Sequence, residues 1–353
     1  AVFQGMRKSS LTIVHVGPFM TGLRVGPKHS VQIKLSNGLI RRGHLVLNFA
    51  DRDVARAASL FGSRKFGRRA VNKALIAFCR QHQPDILLMG HADMIDAETV
   101  AAVRDIVPGV RIAQWNVDPL FEPDNVRRIR GKLRVVDKTF ISTAGEPLER
   151  MRDGGHAMSF LPNPVDFSVE SGRADLARSL PYDLFYACGH PSRPLREICG
   201  REWNMDDFIG LIGARLPSLR MALGGIEGRP HFSGARYQQV LETSAIGLNI
   251  SRRADYYLYT SDRIAHLAGN GCVVAIERAT GYTDYFSDEE MLFFSDLDEL
   301  IEKLARLSAE PELRMRTGTA GRARYAERFN EQAVAQFMID VIMDECAPEA
   351  MPW

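Results

Sequence analysis

The segment TSDR (260–263) combines two hydroxyls, an acid and a cation directly before a run with helical spacing. Either hydroxyl could cap that helix, and the backbone N–H groups at its start would then face outward, where they attract phosphate. Arg263 adds a cation in the first turn, where the helix dipole alone favours an acid. The pattern suits a bound anion, and an ion pair of Arg263 with Asp262 or Asp284 is an equally good interpretation.

Cationic and aromatic residues follow other apolar runs of the second half. The run YDLFYACG leads to HPSRPLR, where Arg193 and Arg196 stand at a Gly turn that we expect to enter a helix. Two Arg at such a turn suit bidentate contact with a diphosphate. The run GLNIS leads to Arg252 and then to three Tyr, whose rings either pack in the core or stack on a flat base. Several turns with these residue types predict one anion-binding edge.

The elements that must position these turns alternate between strand-like and helical segments. Buried strand-like runs are expected in the first half at 11–17, 44–49, 84–91, 110–118, 138–143 and 157–163, and in the second at 182–190, 218–225, 245–251, 272–276 and 290–296. A polar, Pro-containing stretch at 162–181 reads as a connection between the halves. Strands that alternate with helices predict two doubly wound α/β domains, whose ligands bind beyond the carboxyl ends of the strands. The cleft between the domains is therefore the expected site.

Composition limits the protein class. The chain has 353 residues, 45% hydrophobic and 25% charged, and no apolar stretch approaches the roughly 20 residues that span a bilayer. Five scattered Cys suit free thiols in a reducing compartment, so we expect a cytoplasmic protein. The net charge of +2 argues against binding nucleic acid. Residues 52–80 are nonetheless basic, either as a solvated face or as a surface for anionic lipid at the inner membrane face or for an anionic acceptor.

Several common chemistries lack their motifs. The first expected strand ends in HVGPFMTG, which does not contain the G-x-G-x-x-G of dinucleotide sites. The chain also has no G-x-x-x-x-G-K-[ST], no G-x-S-x-G and no H-E-x-x-H. These absences argue against an NAD dehydrogenase, a P-loop enzyme, a serine hydrolase of that type and a zinc protease.

Two long segments resemble a known family. The stretch SDRIAHLAGNGCVVAIERATGYTDYFSDEEMLFFSDLDELIEKLARLSAEPELRMRTGTAGRARYAERF is similar to the C-terminal half of GT-B glycosyltransferases, closest to the CgeB-like, glycosyl-transferases-group-1 type. The segment 84–166 is similar to the N-terminal domain of that family. The resemblance implies two Rossmann-like, doubly wound domains that face each other across a cleft. It places them at 6–165 and 182–329, with a final helix at 330–353 that returns to the first domain.

The resemblance implies a metal-independent sugar transfer from a nucleotide-activated donor, without a cofactor. The acceptor would be a glycan, a lipid-linked sugar or a protein, in the synthesis of bacterial surface polysaccharide or glycoconjugates. The acceptor side would use the turns at Gly17 to Gly22, at His91 and at Asn116 to Asp118. The donor site implied for the second domain comprises Gly189, His190, Arg193, Arg196, Asn249, Ser251, Tyr259, Thr260, Ser261, Arg263, His266 and Tyr282.

One departure from the family leaves the stereochemistry open. Many retaining members carry a pair of Glu in this region, the second of which holds the ribose, where this chain has Ala265 and His266. His266 either hydrogen-bonds a ribose hydroxyl or is simply packed. Inversion needs a base near the acceptor hydroxyl, and Asp118 and His91 stand at expected strand ends, although Asp118 is also an ordinary turn residue and His91 an ordinary cap. A nucleotide-sugar epimerase of the same architecture and a non-catalytic two-domain binding protein are the alternatives.

Overall fold

The structure is a computed structural model and describes residues 9–20, 28–59, 61–188 and 195–353. Two parallel sheets dominate it, with strand orders β2-β1-β3-β4-β5-β6 and β10-β7-β11-β12-β13. The strands of the first sheet are β1 Thr12–Gly17, β2 Leu45–Ala50, β3 Ile86–Gly90, β4 Arg111–Asn116, β5 Lys138–Ile141 and β6 Met158–Phe160. Those of the second are β7 Tyr182–Ala187, β10 Met221–Gly224, β11 Ser244–Leu248, β12 Val273–Glu277 and β13 Leu292–Phe294. The predicted pair of doubly wound α/β domains is confirmed.

Helices cover the sheets because the strands are apolar on both faces, as in Ile86–Gly90, where every residue is buried. The helices are α1 Val31–Arg41, α2 Asp51–Ala57, α3 Arg68–His82, α4 Ala97–Ile106, α5 Pro123–Arg130, α6 Glu146–Arg152, α7 Met205–Arg215, α8 Gly234–Glu242, α9 Arg263–Gly269, α10 Leu297–Ala309, α11 Pro311–Phe329 and α12 Glu331–Ile342. Within the described ranges, every helix is too short or too polar to cross a bilayer.

One local prediction is wrong. The residues after Pro194 do not begin a helix. They form a two-stranded antiparallel hairpin of β8, Leu195–Ile198, and β9, Arg201–Asn204. Arg196 therefore lies on a strand beside Trp203, and α7 begins only at Met205, where Asn204 accepts a hydrogen bond from the Asp206 amide.

The two halves are joined by more than the connecting segment. Helix α12 packs on α1 of the first domain, where Arg41 bonds both Asp166 and Glu331. A fully buried ion pair joins Lys34 of α1 to Glu170 of the connection. The carboxyl ends of both sheets are thereby held against a common cleft.

Candidate active site

A cavity of about 630 Å³ lies in the cleft, between the strand ends of the two sheets. The second domain lines one side with Ala187, Cys188, Arg196, His231, Phe232, Tyr237, Ile250, Ser251, Arg252, Tyr259, Ser261, Asp262 and Arg263. We call this side the C-terminal wall. The first domain lines the other side with Asp118, Pro119, Glu122, Asp124, Asn125 and Arg128, which we call the N-terminal wall.

Arg263 spans the ends of two strands on the C-terminal wall. Its guanidinium donates to the carbonyl oxygens of Ala187, at 2.9 Å, and Ile250, at 3.1 Å. The same group lies 5.2 Å from the ring centre of Tyr186. Among the described residues Arg263 has no carboxylate partner, and Asp284 instead accepts from the Tyr257 hydroxyl. Its positive charge is thus held rigidly at the cavity without being neutralised by an ion pair.

The helix start beside Arg263 differs from the prediction. Neither Thr260 nor Ser261 caps α9, because the residue before the helix is Asp262, whose side chain forms no capping bond. The Ser261 amide donates instead to the Ser251 hydroxyl at 3.2 Å. Both Ser side chains still line the cavity, and the buried Ser261 hydroxyl oxygen has no hydrogen-bond partner among the described residues.

Asp262 is a functional candidate that the sequence did not single out. It lines the first cavity and also a second one, and burial raises the pKa of its carboxyl group. An acid directly before a helix is so common that its type and position carried no signal. Asp262 becomes a candidate only because its side chain lies where the two cavities meet.

The other predicted site residues do not all lie at the cavity. Arg196 and Tyr259 line the cavity, the latter with its ring against Phe121 of the first domain. Asn249 and Thr260 bond each other at 2.6 Å below the cavity surface, so they support the strand end rather than line the site. Tyr282 was expected to border the crevice, but it is buried in the core beside Phe286. The positions Gly22, Gly189, His190 and Arg193 lie outside the described residues.

The N-terminal wall is built from the turn after β4. Asn116 accepts from the Asp118 amide at 2.9 Å and donates to Asn125 at 2.7 Å, so it shapes the turn from beneath. Asp118 itself is half exposed and pairs with Arg128 at 3.2 Å. Across the cleft, Glu122 pairs with Arg252 of the opposite wall. Gly17, another predicted acceptor-side residue, ends β1 beside Phe19 and lines neither cavity.

His91 and Asp118, predicted as separate candidates for the base, lie next to each other. Because β3 and β4 are neighbours, the Nδ1 atom of His91 comes within 3.6 Å of Asp118 Oδ2. His91 has a φ of 55°, an uncommon backbone state for a residue other than glycine, and its ring packs edge-on against Trp115. Burial lowers the pKa of His91 and Asp118 opposes that shift, so the imidazole is neutral near pH 7 and able to accept a proton.

A second cavity of about 560 Å³ adjoins the first and shares Phe232, Tyr237 and Asp262 with it. His91 and Trp115 lie on its first-domain side, and His266 lies on the other. Through the second cavity, a second ligand can reach the place where the two cavities meet, which we call the junction. This place lies beside the His91–Asp118 pair.

His266 is held by hydrogen bonds on both ring nitrogens. Its Nε2 lies 3.2 Å from the carbonyl oxygen of His29, which only accepts, so Nε2 carries the proton. Nδ1 then accepts from the Tyr237 hydroxyl at 2.8 Å. Burial lowers the pKa of His266 well below its usual value. His266 thus joins the two domains, which favours the packed interpretation of this residue.

Neither a cofactor motif nor a metal site emerges from these groups. In the part of the chain that the structure describes, no cluster of three His, Cys, Asp or Glu side chains could hold a metal ion.

A third cavity of about 390 Å³, lined by Gly225 and Asp206, meets the first at Cys188 and His231. The first cavity is thus continuous with a third one, which has an exposed lining on the second domain.

Comparison with known proteins agrees with this architecture. Residues 193–340 match a family model described as glycosyl transferase-like. A search of curated protein sequences finds no significant match. Among solved structures, sucrose-phosphate synthase from Thermosynechococcus elongatus is similar with a TM-score of 0.58 at 12% identity, covering 95% of this chain and 98% of that chain.

Two further structures are similar over nearly the whole chain. HepE from Anabaena, solved in complex with UDP and glucose, has a TM-score of 0.60 at 12% identity and covers 94% of this chain and 99% of that one. A UDP-forming trehalose-phosphate synthase from Burkholderia xenovorans has a TM-score of 0.57 at 12% identity, covering 95% and 99%. The chain therefore has the GT-B glycosyltransferase fold, and its residues 193–340 are similar to the glycosyl transferase-like family.

Proposed function

We propose that this protein is a nucleotide-sugar-dependent glycosyltransferase whose donor pyrophosphate binds the C-terminal wall. The observation that carries the proposal is the un-neutralised guanidinium of Arg263, fixed to two strand-end carbonyls at the cavity between the domains. A guanidinium bound to backbone on one side and open to a cavity on the other is suited to an anion. The Ser261 hydroxyl, buried without a partner among the described residues, supplies a second polar contact for that anion.

The three connected cavities suggest the orientation of the donor. A diphosphate at Arg263 would lie between the third cavity, which would receive the nucleoside, and the junction with the second cavity, which would receive the sugar. Asp262 at that junction would accept hydrogen bonds from sugar hydroxyls. Arg193, predicted to contact the diphosphate, remains part of this proposal.

The transfer step follows from the same placement. An acceptor hydroxyl oxygen in the second cavity forms a bond to the anomeric carbon while the bond from that carbon to the phosphate oxygen breaks. Arg263 stabilises the negative charge that develops on the departing nucleoside diphosphate, so the proposed reaction needs no metal ion. The acceptor proton passes to Nε2 of His91, while Asp118 orients the ring through Nδ1. Because one displacement at the anomeric carbon forms the new bond while the old one breaks, the proposed reaction inverts the anomeric configuration.

The acceptor in this proposal is a hydroxyl-bearing glycan, lipid-linked sugar or protein of bacterial surface glycoconjugate synthesis. The second cavity supports a sugar-like acceptor because it combines the partly exposed rings of Phe232 and Tyr237 with polar side chains, those of His91 and Asp262. Aromatic faces and hydrogen-bonding groups together suit the apolar and hydroxylated faces of a sugar ring.

A thermal-shift panel of UDP-, GDP-, CMP- and dTDP-sugars tests the proposal. A ligand that binds only the folded state raises the unfolding temperature by mass action, so the true donor should stand out from the others. UDP-glucose is the first donor to test, because HepE has been solved with it. Nucleoside diphosphate release that requires an acceptor supports transfer. Conversion of the donor sugar without any acceptor would indicate an epimerase, and binding without turnover would indicate a binding protein.

A further inference from the structure

Two phenylalanine side chains project from the first domain into solvent. Phe61 is 86% exposed and Phe66 is 78% exposed, whereas the next most exposed large apolar side chain in the described residues, Leu176, is 57% exposed. Both lie between α2 and α3, in a connection that is anchored at Gly67. A side chain at Gly67 would collide with the backbone of Ala55, so the connection packs tightly on α2 beneath the exposed rings.

Exposed cations lie close to the two phenylalanines in the sequence. Lys65, Arg69 and Lys73 are exposed, and none of them forms an ion pair with any described residue. Arg69 and Lys73 are four positions apart on α3, so they share one face of that helix. We call Phe61, Lys65, Phe66, Arg69 and Lys73 the basic aromatic surface.

The basic aromatic surface lies beside the acceptor side of the cleft. Arg64 and Arg68, which alternate with its residues in the sequence, bind Asp93 and Asp96 in the turn after β3. Asp93 is only two residues from His91, which limits the separation of their Cα atoms to about 7.6 Å. The ion pairs therefore hold the surface next to the part of the first domain that carries His91.

We propose that the basic aromatic surface docks the protein on an anionic lipid bilayer. Unpaired Lys and Arg are attracted to anionic headgroups, and the exposed rings can leave water for the acyl boundary. A soluble polyanion would account for the cations but would leave both phenylalanines in water. The docking would bring the acceptor cavity near the membrane, which suits a lipid-linked acceptor; that last consequence rests on the proposed function, whereas the docking does not.

Vesicle flotation tests the docking directly. The full chain is mixed with vesicles of equimolar phosphatidylglycerol and phosphatidylcholine, and with vesicles of phosphatidylcholine alone. We expect clear binding to the anionic vesicles, little to the neutral ones, and weakening at high salt. The variant Phe61→Ala/Phe66→Ala should bind on the order of tenfold more weakly, because it loses two apolar insertions. Arg69→Glu should also weaken binding, through charge repulsion.

Matched controls separate this surface from the rest of the molecule. Leu176→Ala truncates an exposed apolar side chain in the segment that connects the domains, and Arg316→Glu reverses an exposed Arg on α11. Both should bind vesicles like the unmodified protein. All four variants change exposed side chains, so an unchanged unfolding temperature would verify that each is folded.

Three outcomes would overturn the docking proposal. They are absence of binding to anionic vesicles, equal losses in the control variants, and binding that depends on Arg69 but not on the two phenylalanines. A concentration-dependent dimer that Phe61→Ala/Phe66→Ala abolishes, without vesicle binding, would assign the surface to self-association instead. Thermal shifts with nucleotide sugars report on the donor site independently, so failure of the docking is distinguishable from failure of the proposed transferase.

Discussion

The two walls of the cleft have opposite charge. Among the described residues that line the first cavity, the C-terminal wall has three Arg and one Asp, whereas the N-terminal wall has one Arg and three acids. The cations are Arg196, Arg252 and Arg263 on one side and Arg128 on the other; the acids are Asp262 on one side and Asp118, Glu122 and Asp124 on the other.

The difference in charge matches two parts of the proposed reaction. A leaving nucleoside diphosphate gains negative charge, which a cationic wall stabilises. An acceptor hydroxyl loses a proton, which requires an acceptor group such as neutral His91 with a carboxylate at its other nitrogen. The cleft as a whole is nearly balanced in charge, so the separation between the walls, rather than the net charge, would orient the substrates.

Changes to the proposed base, which lies in the second cavity beside Asp118 of the N-terminal wall, should have the largest effect, and should act on rate rather than on donor binding. His91→Ala should lower kcat by about a thousandfold, because general base catalysis typically contributes 10²–10⁴-fold. UDP affinity, measured by titration calorimetry, should stay unchanged. Loss of UDP binding in this variant would show that the first domain also holds the donor, and would contradict the division of roles between the two domains.

The pH profile identifies how Asp118 acts. His91 works as a base only when neutral, and burial lowers its pKa, so kcat/KM should fall only at a pH below its usual value of 6.5. Asp118 raises the His91 pKa against the effect of burial. In the variant Asp118→Asn, the fall of kcat/KM on the acidic side of the profile should therefore occur at lower pH. If the two proteins have identical pH profiles, Asp118 does not influence the catalytic base.

Changes to the C-terminal wall should weaken donor binding. Arg263→Ala should raise the Kd for UDP by about a hundredfold, because a charge-assisted contact to phosphate is lost. Arg263→Lys, which keeps the charge but not the planar fork, should lie between this variant and the unmodified protein. Arg316→Ala, far from the cavity on α11, is the matched control. Undiminished UDP binding by Arg263→Ala would mean that the diphosphate lies elsewhere.

The contact between the two domains at His29 should make the stability of the protein depend on pH. His29 of the first domain contacts Gln238 of α8 at 2.7 Å, and burial lowers its pKa to about 4. The unfolded chain then binds a proton that the folded protein excludes, so stability is complete above pH 6.5 and falls as the pH drops toward 4. Denaturant unfolding should show that His29→Gln avoids about 2 kcal/mol of the loss between about pH 7.5 and about pH 5. Equal losses in both proteins would contradict this.

The smallest effect is expected for the hydrogen bond between Tyr237 and His266. Tyr237→Phe leaves the buried Nδ1 of His266 without its donor, which should cost about 1–2 kcal/mol of unfolding free energy. UDP affinity should change little if His266 serves to join the domains. A loss of more than about tenfold in UDP affinity would instead place Tyr237 or His266 at the donor.

The fold was predictable because its strands are continuous apolar runs with Gly or polar residues at their ends. The exception is the β8–β9 hairpin. The sequence SRPLREI has a Pro where a helix often begins, and charged residues alternate too briefly to indicate a strand. Its pairing depends on the opposite strand, which a local pattern does not contain.

The site was predictable where strand ends alone determine it. Arg263 and Ser261 lie at the cavity because α9 follows a strand of the second sheet. Tyr282 occupies a similar position in sequence, but a short 3₁₀ turn directs its ring into the core. The contact between His91 and Asp118 needs strands β3 and β4 as neighbours, and the role of Asp262 needs the shape of two cavities. Neither relation is local in the sequence.

The most direct test of the central claim is hydrogen exchange with and without UDP. We expect slower exchange of backbone amides at 249–266, on the C-terminal wall, with little change at 116–128 on the N-terminal wall. Slower exchange confined to 116–128, or no difference at either wall under saturating UDP, would contradict it.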